Sequence, residues 1–222
     1  MIPVQDIQLA KHILIECNNK LFIKATLLYS YCIASGKKVS LFSNESIERR
    51  YSFLAWYNKL RTAVPLSADL SISADINILD LYALFKKQNI KINKKIATAF
   101  YAAFLETYDN FLDPKCDGTI FAILSELLEA GAEVKVCVDE LINKKPLKIF
   151  RLEALIYKKL LLKQNGELAY VRLSKEDFDA SGALWDDALI VAKELLRLAH
   201  VQEVSILHND DQEKIINLNK EV

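Results

Sequence analysis

Short apolar runs and one long apolar stretch alternate near the start of the chain. The runs at 12–17 (HILIEC) and 37–42 (KKVSLF) predict buried strands, and the stretch 21–35 between them predicts a helix that ends at Gly36. Strand, helix and strand with tight connections predict a βαβ unit with parallel strands. The segment 69–75 (DLSISAD) alternates with period two, which predicts a third strand ending in an acid.

An aromatic stripe marks the next segment, 46–61, where Asn44 is positioned to cap a helix. The pattern predicts that this stripe faces the core, and an aromatic platform for nucleic-acid bases is the alternative. Because Trp and Tyr anchor many protein interfaces, Tyr51, Trp56 and Tyr57 are the candidate partner-binding residues.

The central stretch 96–131 predicts two helices, the second at 120–129 and ended by Gly131. Between them lies a polar turn with three acids: Asp109, Asp113 and Asp117. Acids in a turn between two buried helices are typical of a metal-dependent hydrolase. The pairs Asp-Pro and Asp-Gly in this turn are also ordinary turn pairs, so a purely structural role stays open.

The pattern also predicts helices at 78–88, 134–143 and 146–162. Near residue 165 it changes from helical spacing to the alternation that is typical of strands. Beyond that point, alternation predicts strands at 166–174, 201–207 and 214–219, and a helix at 186–199; the last two strands flank a hairpin turn at 208–211. The fold class is therefore α/β, with helices on both faces of a parallel sheet. We predict a first domain at 1–145, a linker helix at 146–163 and a smaller α+β domain at 164–222.

Composition narrows the class of function. The chain has 222 residues, 52% of them hydrophobic, and equal numbers of basic and acidic residues, 29 of each. This balance gives no overall attraction to nucleic acid or membrane. The most basic run, 86–95, reads as a solvated turn between helices; together with Arg49 and Arg50 it is also the feature that would support RNA or nucleotide binding.

Cysteine and histidine spacing argues against a zinc site. No two of the four cysteines have CxxC spacing, and the three histidines form no pair, which predicts buried reduced thiols and isolated core or surface histidines. The N-terminal residues lack the pattern of a signal peptide, and no uncharged apolar run reaches the length of a bilayer span. We predict a cytoplasmic protein that is not inserted in a membrane.

Three parts of the sequence resemble the DHH phosphoesterases: the opening βαβ unit, the central stretch 96–131, and the segment 141–183 (LINKKPLKIF… to …DASGA). The nearest branch looks like the hydrolases of short oligoribonucleotides and cyclic dinucleotides. The resemblance implies a pair of Mn²⁺ or Mg²⁺ ions held by Asp and His from four motifs, and it makes a homodimer plausible.

Carried onto this chain, the first motif places its two Asp positions at Asn18 and Lys20 and its His at Leu14. A cation at Lys20 would oppose metal binding directly. The second motif, a strand ending in Asp, is matched by Asp75. The third, Asp-His-His, has no counterpart, because the chain passes at once from Asp75 to a helix and contains no His-His pair.

The fourth motif falls on the turn after the first central helix, where its Asp position holds Thr107 and Asp109 lies two residues away. None of the five glycines are adjacent, so the chain has no counterpart of the family's Gly-rich substrate loop. The resemblance therefore implies that the C-terminal domain is truncated. Asp75 and Asp109 are thus weak metal candidates, and no residue is assigned a catalytic or cofactor-binding role.

Three functions follow as expectations. The first is a non-catalytic DHH-like protein that needs no cofactor and acts through contacts with an unidentified protein. The alternative is a residual phosphoesterase acting on short oligonucleotides or cyclic dinucleotides, with Mn²⁺ or Mg²⁺ held by Asp75 and Asp109 and by Asp113 or Asp117. The second alternative is a nucleotide or RNA binder without chemistry, although nucleic acid is an unfavoured partner.

Overall fold

The computed structural model describes residues 2–65, 67–209 and 215–220. The chain divides into two compact units, Met1–Lys144 and Lys145–Val222, and each has its own hydrophobic core. Each unit contains a four-stranded sheet. The predicted α/β class, with a parallel sheet flanked by helices and a second sheet in the smaller unit, is confirmed.

The sheet of the first unit is parallel throughout and has the strand order β3-β2-β1-β4. Its strands are β1 (His12–Glu16), β2 (Lys38–Phe42), β3 (Leu60–Arg61) and β4 (Leu70–Ser73). The register places Ile13 beside Val39 on one side and beside Leu70 on the other. The three strands predicted in this unit and their parallel pairing are confirmed, whereas β3 was not predicted.

The helices of the first unit are α1 (Val4–Leu9), α2 (Phe22–Ala34), α3 (Ile78–Lys87), α4 (Lys94–Thr107), α5 (Gly118–Glu129) and α6 (Val134–Val138), the last continued by a π-helical turn (Asp139–Asn143). Helix α4 is central, because residues 97–105 are all buried. A helix that is apolar around its whole circumference has to be enclosed by other elements. Side-chain caps define where three of these helices begin, with Asn77 capping α3, Asn93 capping α4 and Asp117 capping α5.

The predicted helix at 46–61 is absent from the structure. The segment instead makes two short 3₁₀ turns, Arg49–Tyr51 and Tyr57–Lys59, and then enters β3. Its apolar side chains are drawn into the core at irregular intervals: Tyr51 and Leu54 are buried, and the indole of Trp56 donates to Ser30 Oγ at 2.7 Å. Packing of large side chains against the core has overridden a helical pattern.

The sheet of the second unit has the order β5-β6-β7-β8. Its strands are β5 (Leu161–Lys163), β6 (Leu168–Leu173), β7 (Glu203–His208) and β8 (Ile215–Asn219), and its helices are α7 (Leu147–Lys159), α8 (Lys175–Ser181) and α9 (Asp187–Leu195). The antiparallel pairing of β7 with β8 confirms the predicted hairpin, although residues 210–214 of its connection lie outside the described ranges. Strands β6 and β7 are parallel.

Helix α7 is part of the second unit. It was predicted as a linker at 146–163, but Ile149, Leu152 and Ile156 pack into the core of the second unit. The division between the units therefore falls before this helix, between residues 144 and 145. Strand β5 and helix α8 were not predicted.

Candidate functional site at the carboxyl edge of the sheet

The carboxyl ends of β1, β2 and β4 meet at one edge of the parallel sheet, which is where α/β proteins place their sites. Backbone hydrogen bonds hold these ends together beyond the last residue of each strand. The Cys17 N–H donates to the Phe42 carbonyl at 3.0 Å, and the Ala74 N–H donates to the Glu16 carbonyl at 3.2 Å.

The loop after β1 is tied to the loop after β2. The backbone N–H and the side-chain amide of Asn19 both donate to Oε1 of Glu45, at 2.7 and 2.9 Å. Asn19 Oδ1 accepts from the Glu48 N–H at 2.7 Å. Asn18 Oδ1 accepts from the Leu21 N–H at 3.0 Å, so it caps the short turn that leads into α2. Both asparagines are therefore committed to loop structure.

The remaining positions of the first metal motif also carry side chains that do not bind metal ions. Leu14 lies inside the sheet and is 3% exposed, and Lys20 is exposed beside Asn18. A cation at this point raises the local potential and opposes a divalent ion.

Asp75 follows β4, as predicted, and is exposed. Its backbone N–H donates to Ser73 Oγ at 3.1 Å. Asp75 does not cap the following helix: Asn77 Oδ1 accepts from the Leu79 N–H at 2.8 Å and is the cap of α3.

The acidic turn after α4 has mainly structural contacts. Asp117 Oδ1 accepts from the first turn of α5, and Asp113 Oδ1 accepts from the Lys115 N–H at 2.8 Å. Residues 109–111 all have positive φ, between 44° and 64°, and this tight bend carries the chain away from Thr107, the last residue of α4. Such conformations cost non-glycine residues free energy, so the bend is held by its surroundings.

These side chains do not fit the two-metal centre that the resemblance implies. In residues 2–65, 67–209 and 215–220, no three His, Cys, Asp or Glu side chains come together as a group that could hold a metal ion. Each ion of a two-metal centre needs several oxygen or nitrogen ligands. Asp75 and Asp109 do not belong to such a set.

The structure reveals a polar cluster that the sequence analysis missed. Tyr51 Oη donates to Glu106 Oε1 at 3.0 Å and accepts from Arg50 Nη2 at 2.8 Å. Arg50 Nε lies 2.8 Å from Glu48 Oε2, close enough for an ion pair but without hydrogen-bond geometry. No spacing rule links these residues, because 55 positions separate Tyr51 from Glu106.

Glu106 has an altered proton affinity in this cluster. Removal from solvent raises its pKa, while the nearby Arg50 guanidinium and the Tyr51 hydroxyl oppose that rise. By surface area the Glu106 residue is exposed, so solvent limits the size of the shift.

The predicted partner-binding residues lie in or against the core of the first unit. Tyr51 is only 1% exposed, so it cannot serve as a surface anchor in this fold. Trp56 and Tyr57 are half-buried, with Trp56 packed on Tyr29 and the Tyr57 ring against Phe22. Aromatic residues that looked like interface anchors are thus mostly packing residues.

Histidines and cysteines have structural surroundings. His12 is buried, with its ring nitrogens 2.8 Å from Ser67 Oγ and 2.9 Å from Ser40 Oγ. All four cysteines are free, and burial raises the pKa of the thiols of Cys17, Cys32 and Cys137 to about 12. Thiols of this kind are poor nucleophiles and metal ligands at neutral pH.

The basic run 86–95 covers the connection between α3 and α4, as the solvated-turn interpretation expected. Lys86 pairs with Glu126 at 2.7 Å and Lys94 with Glu133 at 3.0 Å. Within the described part of the chain, no helix has both the length and the apolar character needed to cross a membrane.

Comparison with known proteins identifies the fold. The structure is similar to that of an exopolyphosphatase-related protein from Bacteroides fragilis, with a TM-score of 0.77 over 98% of this chain and 82% of that one. Sequence identity in this match is 13%, so the likeness concerns the fold alone and not the activity.

A second solved structure aligns only weakly with this one. A protein described as a family II inorganic pyrophosphatase from Methanococcus jannaschii aligns over 93% of this chain and 67% of that one, at 13% identity, but with a TM-score of 0.31. No family model matches the sequence, and no curated protein matches it significantly.

Proposed function

We propose that this chain is a non-catalytic, cytoplasmic DHH-like protein that acts by binding another protein, and that it derives from the oligoribonuclease and cyclic-dinucleotide branch. Two features support the loss of chemistry: the side chains at the motif positions, such as Lys20 and Thr107, and the use of Asn18 and Asn19 to hold loops together. The observation that carries the binding role lies on α7.

Helix α7 has a second apolar face. Its inner face packs into the core, yet Leu147, Phe150 and Tyr157 on the outer face are 59%, 62% and 52% exposed. With the exposed Ala154 they follow a spacing of three, four and three residues, which places them on one side of the helix. We call these four residues the α7 stripe. Apolar side chains grouped in this way are characteristic of an interaction surface.

The charges beside the α7 stripe select the partner. Arg151 and Lys158 are exposed along one border of the stripe, and neither forms an ion pair among the described residues. A partner helix with an apolar face bordered by Asp or Glu would complement both the stripe and these cations. A second copy of this chain fits less well, because pairing of two stripes would bring like charges together.

The test is a double variant, Phe150→Asp with Tyr157→Asp, in a tagged chain. We expect it to lose a protein that copurifies with the native chain from a lysate of the source organism. With that protein purified, we expect the double variant to weaken binding at least tenfold and Arg151→Glu with Lys158→Glu to weaken it in a salt-dependent way. Leu184→Asp is the matched control, because Leu184 is 70% exposed in the same unit but outside the stripe.

Several results would overturn the proposal. One is unchanged partner recovery by a double variant that keeps the native melting temperature. Another is self-association of the native chain, measured by sedimentation, that the double variant abolishes, since this would identify a second copy as the occupant. Mn²⁺-dependent hydrolysis of polyphosphate or bis(p-nitrophenyl) phosphate that Asp75→Ala removes would show an active phosphoesterase, and a salt-sensitive shift with short RNA would favour the nucleic-acid alternative.

A further inference from the structure

A groove of about 490 Å³ lies in the first unit, between the C-terminal half of α2, the irregular segment around Trp56 and the start of α4. Its volume is in the range of small-molecule sites. The groove involves none of the residues at the carboxyl edge: α2 runs from that edge toward Gly36, and the groove is lined by its later residues, such as Ser30 and Ala34.

Small residues leave the space open, and hydrogen bonds fix its walls. Thr26, Ser30 and Ala99 are buried at the floor, where larger side chains would fill the volume. Ser30 Oγ donates to the Thr26 carbonyl at 2.9 Å and accepts from the indole N–H of Trp56 at 2.7 Å. Trp56 also packs on Tyr29, with ring centroids 4.7 Å apart. The indole is therefore held in place and forms a preorganised aromatic wall.

The charged residues that line the groove are all basic. Lys91 and Lys95 are exposed at the groove, and among the residues that line it there is no Asp or Glu. Their neighbours Lys86 and Lys94 have acidic partners, whereas Lys91 and Lys95 have none in the described chain. An aromatic wall, small apolar residues and two unpaired cations together favour a ligand with a flat apolar body and a negative group.

We propose that this groove binds a small aromatic carboxylate, with its ring against Trp56 and its carboxylate at Lys91 and Lys95. Asn93 can add a hydrogen bond. Its Oδ1 accepts from the Ile96 N–H at 3.1 Å, which leaves its NH₂ group to donate to a ligand. The proposal does not depend on the binding role of α7, because the two surfaces share no residue.

The test uses 1-naphthoate as the probe and Trp56 as the reporter. The chain has two tryptophans, so Trp185→Phe leaves Trp56 as the single indole. In this protein we expect saturable quenching of Trp56 emission by 1-naphthoate. Lys91→Gln with Lys95→Gln should weaken the affinity about tenfold. Ala34→Leu, at an exposed position of α2, should abolish binding by filling the groove.

Matched controls separate the site from nonspecific binding. Lys87→Gln removes a nearby exposed lysine that does not line the groove, and it should leave the affinity unchanged. The neutral analogue 1-naphthalenemethanol and the aliphatic decanoate should both bind more weakly than 1-naphthoate. Absence of saturable quenching, equal affinity of the neutral analogue, tighter binding of decanoate, or undiminished binding by a folded Ala34→Leu protein would each overturn the proposal.

Discussion

At the scale of single residues, Glu106 shows how tertiary packing changes the chemistry of a side chain. Nothing in the run Glu106-Thr107-Tyr108-Asp109 distinguishes it from a surface acid. In the fold its carboxylate accepts from the buried Tyr51 hydroxyl and lies near Arg50. Within the part of the chain that the structure describes, the residues that the sequence did mark, Asp75 and Asp109, belong to no group of metal-binding side chains.

The raised pKa of Glu106 predicts a pH-dependent stability. A carboxyl group with a folded-state pKa above its unfolded value stabilises the fold below the unfolded pKa, near 4.5, and this contribution is lost as the pH rises through the folded pKa. Relative to Glu106→Gln, the native chain should therefore lose stability in urea unfolding as the pH rises above about 4.5. Glu129→Gln, at an exposed position of α5, controls for the loss of one charge. A native-to-variant difference that stays flat with pH would contradict this expectation.

At the scale of elements, the hydrophobic period and the helix caps predicted most of the helices and strands. The elements that were missed or misassigned have identifiable physical causes. The parallel strands were found because their apolar runs are short and bounded. The segment 46–61 was misassigned because its aromatic side chains pack at irregular intervals against α2, a contact that a local pattern does not contain. Strands β3 and β5, of two and three residues, are too short to carry a periodic signal.

The cap of α3 allows a direct test at this scale. Asn77→Ala removes the acceptor for the Leu79 N–H, so we expect the free energy of unfolding to fall by about 1 kcal/mol. Asp75→Ala, two residues earlier, changes an exposed side chain that is not the cap. It should shift the free energy of unfolding by less than about 0.5 kcal/mol. Urea denaturation of both variants measures the difference. A larger effect at Asp75 would mean that the cap has been misassigned.

At the scale of the whole molecule, the two units have separate cores, so a core change should act locally. Ile156 is fully buried in the second unit, and Ile156→Ala should cost about 2–5 kcal/mol. We expect hydrogen exchange to accelerate in β6 and β7 and to stay unchanged in β1 and β2. Phe150→Ala, on the exposed face of the same helix, is the control. Equal acceleration in both sheets would show that the units unfold together.

The sequence by itself determined the α/β class, the parallel βαβ opening, the central helices and three strands of the second unit, because hydrophobic period and cap chemistry are local properties. Tertiary structure alone decided which side chains meet. It joined Tyr51 to Glu106, tied Asn19 to Glu45, placed Trp56 beside Ser30 and left the outer face of α7 exposed. These contacts span tens of residues, and their energies come from burial and desolvation, which depend on the complete fold.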